Sequence, residues 1–105
     1  MKKEIWIKPP AAARLVAREA LDARFDLPPS RRGGTAIGLA RAYSIMRGEL
    51  QPARRIYSFF TRFRGTFEDA VFQGKTWERS KVIQAWDLWG GEPMREAVER
   101  AVADG

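Results

Sequence analysis

Residues 52–64 read PARRIYSFFTRFR. Ile56, Phe59, Phe60 and Phe63 stand at i, i+3, i+4 and i+7, the spacing that lays four apolar side chains along one stripe of an α-helix. Pro52 suits the opening of that helix, where its missing N–H is not needed. Arg54, Arg55, Arg62 and Arg64 flank the stripe. Elsewhere no run alternates apolar and polar residues at the period of a strand for more than a few positions. The expected fold is therefore all-α.

Upstream, Thr35 is an N-cap candidate for a helix over about 35–47, with Ala36, Leu39, Ala40, Tyr43 and Met46 as its apolar face and Gly48 as its stop. Gly38 lies inside this helix and marks a close helix–helix approach, since glycine there otherwise costs about 1 kcal/mol. Pro28-Pro29 and Gly33-Gly34 break the chain before it. Residues 11–25 are alanine-rich and repeat Leu15, Val16, Ala20, Leu21 and Phe25 at helical spacing. Ile5-Trp6-Ile7 reads as a short extended arm that packs its tryptophan on the domain.

Downstream, residues 65–77 are irregular, with Glu68-Asp69 and Gly74 suggesting a turn or one helical turn. Ser80 is an N-cap candidate for a helix carrying Val82, Ile83, Trp86 and Trp89, which ends at Gly90-Gly91. A last helix starts at Glu92-Pro93 and presents Met94, Ala97, Val98, Ala101 and Val102 on one face, with Glu96 and Arg100 as an i,i+4 pair. The sum is an arm over 1–10 and a compact single helical domain over 11–105, of four to five short helices joined by Gly/Pro turns.

The chain has 105 residues, enough for one domain, and neither cysteine nor histidine. Disulfides and thiolate metal sites are excluded, and the commonest general base near neutral pH is missing. No cofactor and no metal site is expected, and the chain does not read as an enzyme. A magnesium nuclease built on Glu68 and Asp69, with Glu78 and Asp87, remains conceivable, but nothing in their spacing demands it. No signal-peptide run and no apolar stretch of bilayer length occurs, so a cytoplasmic protein without a membrane partner is expected.

The charge is regional. Residues 27–64 hold eight arginines and one acid, a net of +7, whereas 65–105 net −3. A one-signed block on a small domain points to an anionic partner. Two motifs lie in the block. Arg31-Arg32-Gly33-Gly34-Thr35 is either an anion cradle at a helix start or a turn with two solvated arginines. The helices over 35–47 and 52–64, joined by a short turn, form either a helix-turn-helix, with Arg54, Arg55, Ser58 and Arg62 reading DNA, or an ordinary helix pair with a basic face. Trp86 and Trp89 suit the core better than a stacking platform, and Asp87 reads as a solvated or arginine-paired carboxylate.

The string Arg32-Gly33-Gly34-Thr35, Gly38, Arg41-Ala42, Leu50, Arg55, Ser58-Phe59-Phe60, Ala85-Trp86 and Leu88-Trp89-Gly90-Gly91 resembles a small uncharacterised domain of tailed bacteriophages and prophages. The likeness spans roughly residues 30–100. It departs from that pattern where a histidine is replaced near Phe63 and a glycine by Met94. The resemblance implies a phage setting beside virion or genome-handling proteins, and no mechanism.

The reading is a small basic helical protein that binds nucleic acid, DNA or RNA, mainly through phosphates. Arg31, Arg32, Thr35, Arg41, Arg47, Arg54, Arg55, Arg62 and Arg64 are the expected contacts, gathered on one outer surface. The alternative is a virion-associated or assembly module whose basic face meets an acidic protein and whose aromatics build a homo-oligomer.

Overall fold

Two local side-chain caps set helix starts where the sequence places them. Thr35 Oγ1 accepts from Gly38 N at 3.1 Å, and Ser80 Oγ accepts from Ile83 N at 3.2 Å. In the computed structural model, which describes residues 2–105, the elements run β1 (Trp6–Ile7), α1 (Ala11–Phe25), a 3-10 turn (Pro29–Arg31), α2 (Ala36–Met46), β2 (Gln51–Pro52), α3 (Ala53–Phe72), a 3-10 turn (Trp77–Arg79), α4 (Lys81–Leu88) and α5 (Gly91–Asp104). The protein is an all-α single domain; among the described residues it has one two-residue antiparallel strand pair, Trp6 opposite Pro52 and Ile7 opposite Gln51.

The core is aromatic. Phe67 stacks on Trp86 at 4.0 Å, Phe60 meets Trp86 edge-on at 4.7 Å, and Phe59 lies flat against Trp89 at 4.2 Å. Ile45, Ile56, Leu88, Met94 and Val98 complete it. The short α4 carries both tryptophans' approach and packs against every other helix, while α1 lies on α2, α4 and α5. Gly90 and Gly91 turn α4 into α5 with φ of +101° and +64°, which a side chain rarely adopts. A Cβ on Gly91 would also come within 2.8 Å of Val16 on α1.

Five expectations change. The helix begun at residue 53 does not stop at Arg64 but runs to Phe72. Gly65 faces open space and is tolerated, and Phe67 and Ala70 carry the stripe of Phe63 onward to the core. The arm is extended as expected, but Trp6 points outward and Ile5 and Ile7 pack inward, because alternate strand residues face opposite sides. α1 buries Ala13, Ala17 and Ala20 and leaves Leu15 and Phe25 exposed. α2 buries Gly38, Ala42 and Ile45 rather than Ala36, Ala40 and Tyr43. In both helices the small residues win because they let the axes approach. On α5 the ion pairs centre on Arg95, with Glu92 and Glu99, and do not include the expected Glu96–Arg100.

Candidate functional site

α2 and α3 are consecutive but do not form a packed pair: α2 rests on α1 and α4, α3 on α4 and α5. The helix-turn-helix reading therefore has no counterpart in the packing. Instead a groove of about 840 Å³ opens between the start of α2 and the middle of α3, with α4 as its floor. Phe59, Phe63, Val82, Ala85 and Trp89 form the apolar base, with Ile37 on one wall. Arg55, Arg62 and Lys81 stand around it, and Thr35, Ser58 and Thr66 add hydroxyls. Among the described residues no aspartate or glutamate lines it.

α3 positions Arg55, Ser58, Arg62 and Thr66 because these fall at i, i+3, i+7 and i+11 on one helical stripe. That stripe borders the buried one of Ile56, Phe59, Phe60 and Phe63. The Arg62 guanidinium lies 5.1 Å from the Phe63 ring centre. Arg41 sits behind the wall, 5.3 Å from the Trp89 ring, and donates to Gln51 Oε1 at 3.1 Å. Burial first, then the neighbouring Arg55 charge, pulls its pKa below the usual arginine value, and Glu4 opposes both. Gly38 is the close approach expected of it: a Cβ there would stand 3.3 Å from Trp89 Nε1.

Only some of the nine expected contacts border this groove. Thr35, Arg55 and Arg62 line the groove, and Arg41 is adjacent. Arg31 lies at a neighbouring hollow with Glu78 and Arg79 that shares Lys81 with the groove. Arg32 is committed to the backbone, its fork donating to the carbonyls of Leu27 and Phe25 at the end of α1. Arg54 donates to Lys3 O at 2.8 Å. Arg47 pairs with Glu49 at 2.8 Å, and Arg64 with Glu68 at 3.3 Å. Lys81 escaped the sequence reading because it lies outside the arginine block. Its signal was its place directly after the Ser80 cap, at the start of a helix.

The Arg31–Thr35 loop is mostly a packing device. Gly33 N donates to the buried Gln84 Oε1 at 2.6 Å, and Arg24 donates to Gly33 O. Gln84 Nε2 in turn donates to the carbonyls of Arg31 and Trp77. A Cβ on Gly33 would meet Lys81 O at 2.7 Å, so the glycine permits backbone to touch α4. The buried Gln84 was not legible in advance, since nothing local marks a polar residue as a loop anchor.

Trp86 and Trp89 are core residues, as expected. Asp87 is neither solvated nor arginine-paired: it is half-buried and accepts from Trp77 Nε1 at 3.0 Å. Among the described residues no three carboxylates stand together as metal ligands, and no helix is long and apolar enough to cross a membrane. Comparison with protein-family models, curated proteins and solved structures finds no match to this chain.

Proposed function

We propose that this protein binds nucleic acid, chiefly through phosphates, at the groove between α2 and α3. The observation that carries the reading is the grouping of Arg55, Arg62 and Lys81 around a concavity that holds no carboxylate. An acid-free basic concavity focuses the field on an incoming anion. The positive end of α2, at Thr35 and Ile37, lies on the same wall and adds to that field. The resemblance to a tailed-phage domain supplies the setting, a protein that accompanies a phage genome or virion.

The test is fluorescence anisotropy with labelled duplex, single-stranded DNA and RNA across a salt series. Three phosphate contacts give a slope of log affinity against log salt of about −2 to −3. Absence of binding to every probe at low salt overturns the proposal. The apolar base of the groove favours a second reading, an acidic amphipathic protein segment lying in it. That reading predicts peptide binding with no nucleic-acid binding in the same titration.

A further inference from the structure

We infer that the groove takes an unpaired nucleobase, so that single strands bind in preference to duplex. The inference rests on the nucleic-acid reading above and adds what fills the concavity. Phosphates need only the rim cations, which a flat surface would present equally well. They leave unexplained an apolar hollow of about 840 Å³, within the range of roughly 300–1,000 Å³ typical of pockets that enclose small organic ligands. Its walls are planar and polarisable. Phe63 is half-buried beneath the exposed Arg62 guanidinium and is the accessible ring of the lining, while the Phe59–Trp89 pair stacked behind it is buried and makes the backing rigid. Bases stack on rings and on guanidinium planes without regard to sequence. Ser58 and Thr66 on α3 and Thr35 at the start of α2 line the groove: Ser58 donates to Arg54 O and keeps lone pairs to accept, Thr35 accepts from Gly38 N and keeps its proton to donate, and Thr66 can do either, so a base edge meets both kinds of partner. An amphipathic helix would need the apolar floor but neither the stacked guanidinium nor the hydroxyls. A duplex keeps its bases stacked inside, so only a strand with free bases can put a ring between α2 and α3 while its phosphates reach Arg55, Arg62 and Lys81.

The experiment compares strands of about 16 nucleotides, long enough to cover one binding site. The full-length protein is titrated at one fixed salt with oligothymidylate, oligouridylate, an abasic phosphodiester strand and a matched duplex. The expected result is at least about tenfold tighter binding of either base-bearing strand than of the abasic strand or the duplex, the size of one stacked base. Ser58→Trp fills the groove from an exposed position of α3, and Thr66→Trp does so one turn pair further on. Each variant, with its helical circular dichroism intact, is expected to lose the base-dependent advantage and keep the salt slope. Equal binding of base-bearing and abasic strands by the unaltered protein overturns the inference and leaves the phosphate reading standing. Failure of all four probes overturns the reading beneath it. An acidic amphipathic peptide that displaces the strands and is itself lost in Ser58→Trp overturns the inference in favour of a protein partner.

Discussion

Asp87 lies on the side of α4 away from the basic groove, in a hollow shared with Glu19, Trp77 and Glu92. Burial raises its pKa above the ordinary aspartate value. The Trp77 hydrogen bond opposes this, and the charges of Glu92 and Glu19 raise it further. A carboxyl with a raised folded pKa holds its proton better in the folded state than in the unfolded one. Its contribution is therefore most favourable below the unfolded pKa and is lost as pH rises through the folded pKa. Asp87→Asn keeps an oxygen for Trp77 and removes the charge, so thermal melts should show Tm raised by a few degrees at neutral pH. The gain should shrink towards nothing at a pH where the aspartate is already protonated. Two glycines give opposite outcomes for the same substitution. Gly65→Ala adds a methyl to open space on α3 and should stabilise by about 0.5–1 kcal/mol in urea unfolding. Gly33→Ala drives a methyl into the Lys81 backbone and should destabilise by about 1–3 kcal/mol.

At the scale of elements, α3 is the organising helix, and its start is closed by a residue far away in sequence. Pro52 offers no side-chain cap, and Glu4 reaches in from the arm instead. Its carboxylate accepts from Arg54 N at 2.7 Å and Arg55 N at 3.3 Å, and also from its neighbour Ile5 N at 2.8 Å. Burial alone would push this carboxyl up. The amides of Arg54, Ile5 and Arg55, with the Arg54 charge, outweigh burial and hold its pKa below the usual glutamate value. The resulting stability is present above the unfolded pKa and is lost as pH falls through the folded pKa. Glu4→Ala should cost about 0.5–2 kcal/mol at neutral pH, with the cost fading in acid, read from urea melts at several pH values. The contrast with Thr35 and Ser80 shows what a sequence reveals. Caps within a few residues of their helix were legible. A cap some fifty residues away was not, because β1 pairing with β2 has to bring it there. The same holds for helix faces. The stripe of α3 was legible because large aromatics leave one solution. The alanine face of α1 was not, because Leu15 and Phe25 also satisfy the period and only the partner helices decide between them.

At the scale of the molecule, the groove exists because two consecutive helices pack on others and not on each other. No residue of α2 or α3 encodes that separation locally, so the sequence yielded the positive block but not its division. Folding splits the block into cations around a concavity and cations bound to their own chain. The split can be tested with net charge held equal. Arg55→Glu with Arg62→Glu, and Arg47→Glu with Arg64→Glu, change the total charge identically. Arg47 and Arg64 already face Glu49 and Glu68, and neither lines the groove. If long-range attraction by total charge were responsible, the two double variants would lose affinity alike. If the groove is responsible, the Arg55/Arg62 variant should lose at least about tenfold in affinity at low salt. Its slope of log affinity against log salt should become shallower by about 1.4 on single strands, since each lost contact removes roughly 0.7. The Arg47/Arg64 variant should keep its affinity within about threefold and its slope unchanged, because both arginines are already paired with carboxylates and neither lines the groove. Equal losses in the two variants, with both folded by circular dichroism, would leave the concavity no special part in binding.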